Sequence, residues 1–127
     1  MKLINRLKYN LPALIVASAI FFASHQPDIS IPDIGFGLTD KFLHLVAYFV
    51  FGITLIVAFR GNFINLGSKK LVILVFFLGA VYAFSDEIHQ YYIPGRDADF
   101  FDWLADITGI TLSSLLSLKS RTPGLHG

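Results

Sequence analysis

The chain has 127 residues, of which 54% are hydrophobic and only 15% are charged, and its formal net charge is +1. Soluble domains carry about 25% charged residues, so the composition argues against an ordinary soluble domain, and the small net charge offers no basic excess for nucleic acid. Without cysteine the chain has no disulfide framework, no thiolate zinc site and no cysteine nucleophile. The composition therefore predicts one small membrane domain over residues 1–127.

Four apolar segments are predicted to form transmembrane helices, because about 20 helical residues cross the hydrocarbon core. They cover about residues 9–26, 40–59, 70–93 and 99–118. Asn10 is the predicted N-cap of the first segment, with Pro12 in its first turn. A cleaved signal peptide is the alternative for that segment. The predicted fold is all-α, a polytopic membrane protein of four antiparallel helices.

Charged residues predict how these segments are oriented. With four spans, eight of the ten Lys and Arg lie at one membrane face: Lys2, Arg6, Lys8, Arg60, Lys69, Lys70, Lys119 and Arg121. The positive-inside rule then places both termini in the cytoplasm. All nine acidic residues lie on or toward the other face: Asp28, Asp33, Asp40, Asp86, Glu87, Asp97, Asp99, Asp102 and Asp106. The rule does not account for this segregation of acids.

Polar residues recur at helical spacing on three segments. They are Lys41, His44, Tyr48 and Gly52, then Asp86, His89 and Gln90 with Glu87 at the margin of their face, then Asp102, Asp106, Gly109, Ser113 and Ser117. Lipid offers no polar partners, so these stripes are predicted to face each other or water. The small residues are predicted to bring helices close together. The acids outnumber Lys41 and Arg96, which predicts a bound cation, shared protons, or a cationic or hydrogen-bonding ligand.

The same residues form motifs that resemble those of the VanZ-like family. The motifs are Ser24-x-Gln26-Pro27, Asp40-Lys41-x-x-His44-x-x-x-Tyr48-x-x-x-Gly52, Ser85-Asp86-Glu87-x-x-Gln90-x-x-x-Pro94-Gly95-Arg96 and Asp102-x-x-x-Asp106-x-x-Gly109. This chain departs at Asp106, where the family more often has Asn. The resemblance implies a small bacterial membrane protein, and the family's namesake is associated with resistance to the glycopeptide teicoplanin.

The leading functional hypothesis is a multi-pass cell-envelope protein of the bacterial cytoplasmic membrane with an outward-facing polar pocket. Its ligand would be a lipid headgroup, a lipid-linked cell-wall intermediate or an amphiphilic antibiotic such as a lipoglycopeptide, and no nucleic acid is expected. The predicted binding residues are Lys41, His44, Tyr48, Asp86, Glu87, Gln90, Arg96, Asp102 and Asp106. The sequence indicates neither a cofactor nor an oligomeric state.

The alternative is an intramembrane enzyme acting on a lipid-linked substrate. Its candidate catalytic groups are Asp86, Glu87 and His44, in general acid or base roles. The same three residues with Asp102 would also suit a divalent metal, although the chain has no compact metal motif. A proton-coupled transporter is the third hypothesis, and four spans are few for an inverted-repeat carrier.

Overall fold

A computed structural model describes residues 2–27, 35 and 38–119. Within these residues the regular structure is entirely helical, which confirms the predicted all-α class. The helices are α1 (Leu3–Ser24), α2 (Leu38–Asn62), α3 (Ser68–Tyr91) and α4 (Phe100–Lys119). Asp28, Asp33 and Arg121, which entered the charge count, lie outside the described residues.

Three of the four helices, α1, α2 and α3, are long and apolar enough to cross a membrane. The fourth, α4, has 20 residues and carries Asp102 and Asp106, and it is not among these three. Large apolar side chains such as Phe22, Phe77 and Phe84 point outward, as suits a lipid-facing surface. These features support a multi-pass membrane protein.

The start of α1 differs from its sequence prediction. The helix begins at Leu3, its N-cap is Lys2, and Pro12 lies inside it. Asn10 lies inside the helix and does not cap it, and its Oδ1 atom accepts a hydrogen bond from Asn62 Nδ2 at 2.7 Å. A side chain cannot be added at Gly61 without meeting the ring of Tyr9. Packing against the end of α2 therefore holds the first turns of α1, and the capping preference of Asn10 does not decide where the helix starts.

Small residues bring α4 close to its neighbours, as the sequence predicted. A methyl group at Gly109 would lie 2.3 Å from the carbonyl oxygen of Leu45 on α2. One at Gly52 would overlap the side chain of Ser113, and one at Gly79 would lie 2.6 Å from Cδ1 of Ile110. These contacts set α4 against both α2 and α3.

Contacts along the helices give their relative directions. Lys41 of α2 contacts Asp102 of α4, and Arg60 at the far end of α2 donates a hydrogen bond to the carbonyl oxygen of Ser117. Hence α2 and α4 run parallel over most of their length. The bond between Asn10 and Asn62 joins the start of α1 to the end of α2, so these two helices are antiparallel. The polar residues at the start of α2 and at the start of α4 consequently lie at the same end of the bundle.

Candidate functional site

His44 on α2 lies at the centre of the polar cluster. Its Nδ1 atom is 2.8 Å from Oδ1 of Asp106 on α4. Its Nε2 atom faces two further carboxylates, at 3.7 Å from Asp40 Oδ1 and 3.9 Å from Asp102 Oδ2. Asp40 and His44 are neighbours because four residues make about one helical turn. The imidazole thus has a carboxylate at each nitrogen.

Lys41 ties the start of α2 to the start of α4. Its Nζ atom is 3.3 Å from Asp99 Oδ2 and 3.4 Å from Asp102 Oδ1. Asp99 lies in the loop just before α4, and its side chain is 38% exposed. Its Oδ1 atom accepts the backbone N–H of Phe101 at 2.8 Å. Aspartate is favoured at the N-cap position of a helix, and this preference was the sequence signal that Asp99 would bind a backbone N–H at the start of α4.

Tyr48 and Gln90 connect the cluster to α3 and α1. The Tyr48 hydroxyl donates a hydrogen bond to Asp86 Oδ2 at 2.9 Å. The Gln90 amide donates to Ser24 Oγ of α1 at 3.3 Å. Tyr48 and Gln90 are each 1% exposed, so burial makes these partners necessary. Ser24 was absent from the predicted binding set.

Glu87 and Asp106 are buried carboxylates with one satisfied oxygen each. Glu87 Oε2 accepts the backbone N–H of Asp99 at 3.1 Å, and Asp106 Oδ1 faces His44. The other oxygens, Glu87 Oε1 and Asp106 Oδ2, are buried and have no hydrogen-bond partner among the described residues. The two residues are 7% and 0% exposed.

A cavity of about 360 Å³ opens beside this cluster. Six predicted binding residues line it: His44, Tyr48, Asp86, Gln90, Arg96 and Asp102. Of the other three predicted residues, Lys41 contacts Asp102 and Asp106 contacts His44. Glu87 has a donor atom within 4.8 Å of His44. Apolar residues including Ile20, Leu43 and Ala47 complete the lining. The cavity therefore has a polar part and an apolar part.

Arg96 lines the cavity directly after a turn in which position 95 suits only glycine. Gly95 has φ +80°, and a side chain there would also lie 2.7 Å from the carbonyl oxygen of Pro27. The following Arg96 is half-buried in the cavity wall. Within the described residues its guanidinium forms no ion pair or side-chain hydrogen bond.

Two groups of side chains have donor atoms close enough to hold one metal ion: Asp40, His44 and Asp102 in the first, and His44, Glu87 and Asp106 in the second. Asp86, a predicted metal ligand, belongs to neither group in the described part of the chain. It is engaged by Tyr48 instead. Catalytic roles for Asp86, Glu87 and His44 stay predictions.

Motif residues of α2, α3 and α4 thus assemble at one end of the bundle. The sequence model of the VanZ/LLP1 family matches residues 3–119. The chain belongs to this family. Searches of curated proteins and of solved structures found no match. The VanZ/LLP1 match covers all four helices and every residue of the cluster.

Proposed function

We propose that this VanZ/LLP1 protein crosses the bacterial cytoplasmic membrane four times, with both termini in the cytoplasm. The parallel course of α2 and α4 supports four spans, because a helix that follows a transmembrane helix along its length must cross the same layer. Buried Asp102 and Asp106 explain the modest hydropathy of α4 without exposing charge to lipid. In this orientation the cavity opens toward the outer leaflet.

Reporter fusions test the four-span arrangement. A fluorescent protein fused after residue 127 is expected to fluoresce, and alkaline phosphatase at the same point is expected to be inactive, because each folds on only one side of the membrane. Phosphatase inserted after Tyr92 should be active and serves as the internal control. A protein with three spans would give active phosphatase at the C-terminus and would contradict the proposal.

The proposed function of the cavity is to bind the polar head of an amphiphile that carries both an anionic group and amine or hydroxyl donors. The observation that carries this proposal is Arg96, a cation in the cavity wall that forms no ion pair within the described residues. Lys41, by contrast, is paired with Asp99 and Asp102. A guanidinium can bind phosphate or carboxylate with two parallel hydrogen bonds.

The other residues that line the cavity favour a ligand that also carries amine or hydroxyl donors and an apolar chain. Asp86 and Asp97 line it, and they would repel a purely anionic head but accept hydrogen bonds from amines and hydroxyls. Ile20, Leu43 and Ala47 offer an apolar wall for the attached chain. A volume of about 360 Å³ lies in the range of small-ligand sites. Zwitterionic phospholipids, lipid-linked cell-wall intermediates and lipoglycopeptides such as teicoplanin all combine these groups.

Replacing Arg96 tests the headgroup proposal. Arg96→Ala should weaken binding of phosphatidylethanolamine by about 10–100-fold, since a hydrogen bond to a charged group contributes roughly 1.5–3 kcal/mol and about 1.4 kcal/mol corresponds to tenfold in affinity. Native mass spectrometry of the detergent-solubilised protein gives the bound fraction at graded lipid concentrations. Arg6→Ala is the matched control, because Arg6 lines a different cavity, near the start of α1.

Parallel titrations distinguish the sources of the headgroup. Phosphatidylethanolamine, undecaprenyl-linked cell-wall intermediate and teicoplanin are compared at equal concentration, and the tightest of them identifies the class. Teicoplanin susceptibility of cells that express the wild type or Arg96→Ala adds a test of resistance. Equal affinity of wild type and Arg96→Ala for all three ligands would contradict the proposal.

A further inference from the structure

We propose that His44, Glu87 and Asp106 bind one divalent transition-metal ion between α2, α3 and α4. Each of the three residues contributes a donor atom, and these atoms lie within 4.8 Å of one another. The sequence predicted a metal site formed by His44, Asp86, Glu87 and Asp102. In the structure Asp106 joins His44 and Glu87, Asp86 belongs to neither group, and Asp102 belongs to the other group with Asp40.

The two buried oxygens without partners are the independent observation that points to a cation. Glu87 Oε1 and Asp106 Oδ2 belong to the two carboxylates of this group, and both are shielded from water. A buried carboxylate oxygen without a donor carries a desolvation cost that an ion can offset. Two carboxylates balance the charge of a divalent cation, so the filled site adds no net charge to the membrane interior.

Neighbouring groups orient the three donors as outer partners do in protein metal sites. The backbone N–H of Asp99 holds Glu87 by its Oε2 atom. His44 Nε2 lies 3.9 Å from Oδ2 of the buried Asp102. The His44 Nδ1 atom and Asp106 Oδ1, which are 2.8 Å apart, share a hydrogen bond. An ion held by both atoms would replace the proton of that bond.

The donor set indicates the class of metal. One imidazole nitrogen with carboxylate oxygens suits Zn²⁺ or Mn²⁺, whereas Mg²⁺ and Ca²⁺ prefer oxygen ligands alone. Three protein ligands leave coordination positions for water or for another molecule. His44 also lines the 360 Å³ cavity and Glu87 lines a smaller one of about 240 Å³, which gives the ion a route to the site.

Metal analysis of the full chain in detergent tests the site. The protein is stripped with a chelator, dialysed against Zn²⁺ or Mn²⁺ alone, and its metal content is measured by mass spectrometry. One ion per chain is expected. Loss of an outer partner alone typically weakens metal binding by about 10–100-fold. Glu87→Gln and Asp106→Asn each remove the charge of a ligand itself, so each should weaken metal binding by on the order of 100-fold.

Asp40→Asn is the discriminating control, because Asp40 belongs to the other group around His44 and its side chain is 47% exposed. It should retain the ion. Thermal unfolding gives a second readout: metal should raise the Tm of wild type and of Asp40→Asn but not that of Glu87→Gln. A wild type without bound metal, or an ion lost in Asp40→Asn and kept in Glu87→Gln, would overturn the proposal. No lipid ligand enters these measurements, so a negative result for the headgroup leaves this test intact.

Discussion

Replacing Gly109 by leucine should prevent α2 and α4 from packing and leave little folded protein. A Cβ atom at this position would lie 2.3 Å from the carbonyl oxygen of Leu45 and 2.8 Å from the backbone nitrogen of Phe49. Both neighbours are backbone atoms, so relief requires movement of the whole helix. Overpacking typically costs about 1–3 kcal/mol, and leucine adds three further carbon atoms to the same contact.

The milder Gly109→Ala variant separates the effect of the contact with α2 from the effect of helix propensity. Alanine improves intrinsic helix propensity by about 1 kcal/mol relative to glycine, so any net destabilisation must come from the contact with α2. We expect a lower Tm for Gly109→Ala and a largely aggregated Gly109→Leu. Trp103 is the one tryptophan of the chain, and its fluorescence reports unfolding in detergent while size-exclusion chromatography reports aggregation.

Gly67→Ser is the matched control for the Gly109 variants. Gly67 is the N-cap of α3, and a Cβ atom there would meet nothing within 4 Å. Serine is a favoured N-cap residue, so this variant should be as stable as the wild type or slightly more stable. A Gly109→Leu protein that folds and melts like Gly67→Ser would show that α2 and α4 are not in close contact.

The second large effect is expected from Gly79 and Ile110, which form the contact between α3 and α4. A Cβ atom at Gly79 would lie 2.6–2.8 Å from three side-chain carbons of Ile110, which is 0% exposed. Gly79→Ala should therefore destabilise the protein by about 1–3 kcal/mol. Ile110→Ala should cost about 2–5 kcal/mol through the cavity it leaves.

Combining the two substitutions tests whether they act through one contact. In the Ile110→Ala background the clashing carbons are gone, so Gly79→Ala should be neutral or stabilising there. The double-mutant cycle should give a coupling energy of about 1–3 kcal/mol, measured by unfolding in mixed micelles of increasing SDS content. Additivity within about 0.5 kcal/mol would show that the two residues do not touch.

The helices and their polar faces could be predicted from the sequence because both depend on neighbours along the chain. Lys41, His44 and Tyr48 share a face because the α-helix repeats every 3.6 residues. Asp102 and Asp106 share a face for the same reason. Hydropathy then identifies α1 to α3 as helices long and apolar enough to cross a membrane.

Pairing within the cluster could not be predicted, because it depends on the rotation and register of whole helices. Residues such as Gly109 and Gly79 set these through contacts between positions far apart in the chain. The acids were all candidates for the same few cations. Only the packed structure shows that Lys41 forms ion pairs with Asp99 and Asp102. It also shows that Tyr48 donates a hydrogen bond to Asp86, and that Arg96 has no ion-pair partner among the described residues.

The sequence by itself determined an all-helical, apolar chain with its acids gathered toward one end, because periodicity and charge are properties of the residues and their order. Only the tertiary structure decided that α4 follows α2 and that Glu87 and Asp106 meet His44. A carboxylate becomes a ligand, an ion-pair partner or a hydrogen-bond acceptor according to what lies within about 3–4 Å of it. That distance is fixed when helices pack and not when they form.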